Sequence, residues 1–381
     1  MLAAGSKLAL SGVTQSSLGT VTLEAGSIID IATPASDVAA FAATKLILPT
    51  RGKVTLTKSG GAFGEGVYAI CRNSDVTVAK AEERFDFDIT DMRVASWSKV
   101  DDLLVLTVKV IERTWIAESG ESFSWSEGWG ENGWSDGVDA IFETAGAIAS
   151  VDDDVAANSV KFKENAAING ESTLTPNIVH VAEGKEATIN APTAGALEKT
   201  GAGTLTLTEN RTDAATTLSE GTLALSGTAS LDWSKFTFGT DPVKPVRLDF
   251  GPGATVSGIG ASATWNVGDR ATITSVLFKA GGNWTNKHFA VGRASGAVTT
   301  FINAGGDMMA ESYFMIGHDG ASASTLVVSG GTVGSASSSS LQVIVGNTSE
   351  GTLVVTNSGV VSAKQSLSVA HKANGTVNVS D

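Results

Sequence analysis

Cysteine is almost missing from this chain of 381 residues: Cys71 stands alone, which excludes an intramolecular disulfide and any disulfide-stapled scaffold. Its neighbourhood, VYAICRN, is apolar, so a buried and inert thiol is expected. Proline is scarce, at 7 residues, and the 4 histidines (His180, His288, His318 and His371) are scattered. With no H-E-x-x-H and no paired Cys/His spacing, no zinc site is read. A G-x-S-x-G elbow and a G-x-x-x-x-G-K-[ST] loop are also missing, so serine-hydrolase and nucleotide-hydrolysing signatures are absent. No cofactor is implied.

Basic residues are in deficit, with 26 Lys and Arg against 40 Asp and Glu and a net charge of −14. A nucleic-acid binder needs clustered Lys and Arg to displace counterions, so nucleic acid is excluded as a partner. Attraction to an anionic membrane surface is disfavoured on the same ground. No apolar run approaches the ~20 residues of a spanning helix, so no membrane insertion by this chain is expected. The opening MLAAGSKLALSG lacks a basic start followed by a continuous apolar stretch. If the protein is exported, its signal is expected outside this chain, which is then part of a longer polypeptide.

What the chain has in quantity is glycine, 43 residues, set among Thr, Val, Leu and Ser. That mixture favours short strands and turns. Five copies of Gly-Thr-[Leu/Val]-x-[Leu/Val] occur, at Gly19, Gly203, Gly221, Gly351 and Gly375. Alternate residues are apolar in each, which is the mark of a strand with one buried face. A second series, FAVG, FMIG and VIVG, ends at Gly292, Gly317 and Gly346, spaced by 25 and 29 residues, and LSVAHKANG continues it. A repeat of this size cannot cover its own apolar face, whereas stacked repeats bury a continuous core. The fold class expected is all-β, a right-handed parallel β-helix (β-solenoid). A sandwich would need no such period, and glycine interrupts every candidate helix.

Residues Leu197 to Gly227, LEKTGAGTLTLTENRTDAATTLSEGTLALSG, resemble the autotransporter-associated β-strand repeat, also called the passenger-associated transport repeat. Matching positions are Lys199, Gly201, Gly203-Thr204-Leu205 and Leu207, then Gly221-Thr222-Leu223 and Leu225. The middle departs from the family pattern: ENRTDAATT lacks the usual aromatic and glycine. Val345-Gly346 through Val361 is similar to a second repeat, associated with PEP-CTERM and type V secreted proteins. These resemblances imply a surface-exposed or secreted bacterial β-solenoid passenger and no particular activity; the leading expectation is a non-enzymatic stalk or adhesin-like segment at the bacterial cell surface or outside the cell. The partner such a surface would meet is a host or environmental polysaccharide.

Three segments are expected. Residues 1–112 hold solenoid rungs and, around 62–112, an antiparallel closing segment that would cover an exposed sheet edge. Residues 113–230 combine a Trp-rich lead-in with the repeat just described. Residues 231–381 hold regular repeats of about 24 to 29 residues.

The lead-in carries the candidate site. Four of the eight tryptophans fall within it, at Trp115, Trp125, Trp129 and Trp134. Trp125, Trp129 and Trp134, beside glycines and acids, could stack on sugar rings as a carbohydrate-binding module; the competing reading makes them the apolar plug of the entrance. A polysaccharide-degrading β-helix is the third reading. Its acid/base work would fall to paired carboxylates among Asp86/Asp88, Asp101-Asp102 and Asp152-Asp153-Asp154, which otherwise form solvated faces. The last run could also hold calcium weakly, although it lacks the Gly/Asp spacing of a dedicated loop. The Asn-x-Ser/Thr triplets at Asn283 and Asn347 are expected to cap turns.

Overall fold

A computed structural model describes the chain except residues 11–16, 32–40, 59–61, 65, 73–74, 90–92, 117, 131–132, 213–214, 239–240, 242–243, 258–263, 268–274, 281–283, 293–297, 319–322 and 336–339. Asn283 lies outside the described residues. The protein is all-β, with most strands paired in parallel. It divides into two compact units, Met1–Glu112 and Arg113–Asp381.

In the first unit, Lys7–Leu10, Ile28–Ile31, Val54–Lys58 and Phe85–Phe87 pair in parallel, in that order. A second sheet begins parallel, with Ser17–Thr22, Phe41–Ile47 and Gly66–Arg72. It then turns antiparallel, Leu103–Val110 pairing with Gly66–Arg72 on one side and Arg93–Val100 on the other. Ile29, Leu56, Phe63, Tyr68, Leu104 and Leu106 form the buried centre. Cys71 is fully buried there, and burial pushes its thiol up to about 12.

Among the described residues, two short elements depart from the strand-only expectation: Val78–Arg84 is an α-helix and Trp233–Lys235 a single 3-10 turn. Thr77 caps the α-helix, its hydroxyl accepting from the Lys80 amide at 3.2 Å, and the sequence AKAEER consists of strong helix formers. No glycine falls within it, so the argument that glycine interrupts every helix does not reach this segment.

The second unit is dominated by a twelve-stranded sheet, all parallel, that runs in chain order from Ser122–Ser124 to Gly375–Val379. It crosses position 230 without a break, Gly221–Leu225 pairing directly with Val246–Phe250. The repeated phrases are neighbours within it. Leu205 lies opposite Leu223 and Leu207 opposite Leu225; further along, Gly351 faces Gly375 and Leu353 faces Val377. Leu205, Leu223, Leu248 and Leu326 are each fully buried. Because strand side chains alternate faces, the intervening Thr204, Thr206 and Thr222 stay half-buried.

Two further sheets supply the rest of this unit's core. One runs in parallel from Asp139–Phe142 through Val155–Phe162, Leu174–Val181 and Leu197–Thr200 to Phe236–Phe238. The other includes Trp284–Val291, Asp307–Ile316 and Gln342–Val345. Like residues stack on like between neighbouring strands. Phe142 lies on Phe162 with centroids 5.1 Å apart, and Phe289 on Phe314 at 4.9 Å. On the polar side, Asn190 donates to Asn169 at 2.8 Å and accepts from Thr208 at 2.8 Å. Strand register brings the same side-chain type to the same place, so that the half-buried Asn169 and Asn190 amides bond each other.

Candidate functional site

The tryptophans of the lead-in are mostly core. Trp125 is 2% exposed and Trp129 is 3%. Each packs edge-on against its neighbours, Trp115 to Trp129 and Trp125 to Trp129 both at 4.9 Å. Trp115 in turn stacks on Phe142 at 5.5 Å, joining this cluster to the aromatic ladder of the sheet. Gly128 is required here, since a side chain at that position would overlap the Trp115 ring. A ring buried on both faces cannot stack on a sugar, so a three-tryptophan platform is not formed. Trp134 differs: it is half-buried and packs on the cluster with one side, 5.0 Å from Trp125.

Trp134 lines a cleft of about 200 Å³ together with Ser124, Trp125, Ser126, Asp136 and Asp152–Val155. Strand pairing assembles these parts from distant positions. Ser124 lies opposite Ser150 in the long sheet, and the Trp125 amide extends that ladder by donating to the Ser150 carbonyl at 2.6 Å. This brings the turn after Ser124 beside Asp152. Asp136 is held from the other side: it accepts from the Trp134 indole at 3.2 Å and from the Ala156 amide at 3.0 Å. Asp154 accepts from the Thr173 amide at 2.8 Å, and Asp152 from the Ser150 hydroxyl at 3.0 Å. All four carboxylates remain exposed. Among the described residues, no group of three His, Cys, Asp or Glu is arranged to hold a metal ion.

The other acidic pairs are engaged separately. Asp86 pairs with Lys53 at 3.4 Å, both largely exposed. Asp101 occupies the turn between Arg93–Val100 and Leu103–Val110 with φ 56°, and Asp102 pairs with Arg72 at 2.7 Å. Asn347 is buried and its amide lies 2.7 Å from His318 Nδ1.

Sequence reasoning named Lys199 as a position of the repeat but read no role for its side chain. It is fully buried, and its ammonium donates to the carbonyls of Thr200 at 2.8 Å, Gly201 at 2.6 Å and Glu220 at 3.0 Å. Burial lowers it to about 8. His180, opposite Thr200 in the adjacent strand, lies 3.2 Å from that residue's hydroxyl. Burial, and next the charge of Lys199, hold the imidazole below its usual value. A lysine that fastens three carbonyls at a turn is an anchor, with no open space for a reacting group. Compared with protein-family models, curated proteins and solved structures, the chain finds no match.

Proposed function

We propose that this chain is a non-enzymatic β-solenoid segment of an extracellular bacterial passenger or stalk protein. The observation that supports this most is the twelve-stranded sheet, in which each strand pairs in parallel and in chain order with the next. Parallel neighbours with one connection per turn are what a right-handed parallel β-helix requires. Stacked repeats extend the chain by ~4.8 Å for every strand added, which suits a spacer. The match of Lys199, Gly201, Gly203 and Gly221 to the autotransporter-associated pattern adds to the reading, since each of these residues has a structural task at a turn. The net charge of −14 suits a surface that meets water rather than nucleic acid.

Fractionation of source cells, followed by an immunoblot against this chain, tests the proposal. A band well above 38.8 kDa in the outer-surface or secreted fraction is the expected result. A band at 38.8 kDa inside the cell would overturn it.

A further inference from the structure

The outward face of the long sheet changes character along its length. Its earlier strands carry charge there, with Glu186 exposed and Arg247 and Asp249 half-buried. In Val298–Asn303, Ala323–Ser329, Gly351–Thr356 and Gly375–Val379, register sets Thr300, Thr325, Thr352 and Thr376 in one row. Two residues further along each strand, Ile302, Val327 and Val354 form a second row that ends in Asn378. Neither row holds a charged residue, in a chain of net charge −14. The stretch of chain between successive threonines differs in length, yet the same residue type returns each time.

These rows form a regular lattice with free polar groups. A register shift interrupts the neighbouring sheet between Asn286 and His288, whereas the four strands here pair without one. Phe301, Leu326 and Leu353 lie between the two rows, are fully buried, and brace the face from inside. Elsewhere outward threonines bond one another, as Thr217 and Thr237 do at 2.9 Å. The hydroxyls of Thr300, Thr325, Thr352 and Thr376 bond no group among the described residues.

A neutral face offers nothing to an ion, and it carries no ring to stack on a sugar. Four strands ~4.8 Å apart, each contributing ~16 Å of length, give about 300 Å², well short of the ~800 Å² per partner of a stable protein interface. What the face does offer is spacing. Hydroxyls repeat every ~4.8 Å across the strands, and alternate residues every ~6.6 Å along them. The repeat across the strands is close to that of oxygens along one axis of hexagonal ice. The methyl groups beside the hydroxyls restrict the orientations of the water that touches them. Beyond a spacer's role, we infer that this face binds ice, the threonine row standing in for one row of lattice oxygens.

Nanolitre osmometry on the full chain tests this. A gap between the melting and freezing temperatures is expected, with faceted crystals inside it. Lysine carries a strongly hydrated point charge, so Thr325→Lys should abolish the gap. Thr188→Lys places the same charge on an earlier strand of the same face and should keep it. Thr376 is exposed, so Thr376→Lys serves where Thr325→Lys melts below the parent. Round crystals that grow without a gap would overturn the assignment. So would a gap that persists in Thr325→Lys and Thr376→Lys, or one lost equally in a Thr188→Lys variant that melts like the parent.

Discussion

Lys199 donates through Nζ to the backbone carbonyl of Glu220 at 3.0 Å, fastening the turn that follows one strand to the turn that opens the next copy of the repeat. The same ammonium holds Thr200 and Gly201. Substituting Lys199→Met keeps the apolar stem but leaves three carbonyls short of a donor, that of Gly201 in a buried bond. A loss of about 2–3 kcal/mol is expected, read as a lowered midpoint in urea with an unchanged m-value. A midpoint equal to that of the parent would show that the anchor contributes nothing.

The same corner makes stability depend on pH in two directions. Folding lowers Lys199 from 10.5 to about 8, so between those values the unfolded chain binds more protons, and stability rises as pH climbs through them. His180 is held below 6.5; as pH falls past that value the unfolded chain charges first, and stability falls. Thermal melts across this range should show a descending acid arm that flattens in His180→Gln. They should also show an alkaline rise that disappears in Lys199→Met.

Gly221 has φ +74°, and a side chain there would meet the carbonyl oxygens of Gly201 and Gly203. Gly184 has nearly the same φ, +69°, with nothing close to the missing side chain. Gly184→Ala should therefore cost only the left-handed backbone penalty, about 1–2 kcal/mol. Gly221→Ala must also push two strands apart, and is expected to cost at least twice as much by chemical denaturation.

Truncating the buried indole of Trp129 opens a cavity among Trp115, Trp125 and Phe142. Trp129→Ala should cost about 3–5 kcal/mol, with loss of the near-ultraviolet circular dichroism of the cluster. A variant that melts like the parent would mean that the ring is not core.

The strands were legible because their signals are local. Alternation at Leu205 and Leu207 and again at Leu223 and Leu225 defines two half-buried strands, and their identical spelling forecasts that they lie side by side. The helix over Val78–Arg84 escaped because it is flanked by Val76 and Phe85, whose β-favouring side chains disguise a short run with no room for periodicity. The cleft was only half visible. Trp134 and Asp152 to Asp154 stood out as residue types, but Ser124 joins them through strand pairing and Asp136 through the Ala156 amide, neither of which composition reveals. Burial was hidden for Trp125 and Trp129 because their neighbours in sequence are serines, glycines and acids, while their neighbours in space are other rings.

In the long sheet, the hydrogen bonds between strands lie along the direction in which strands are added. A pull from its last strand toward its first loads them in tension, like a zip opened from one end, and not in shear. Strands then leave one at a time. Releasing Val360–Val361, Ser366–Val369 and Gly375–Val379 from their neighbours frees the chain from Asn357 to Val379, a length of about 80 Å when extended. Such a sheet absorbs tension as a series of small yields and keeps the remaining strands paired.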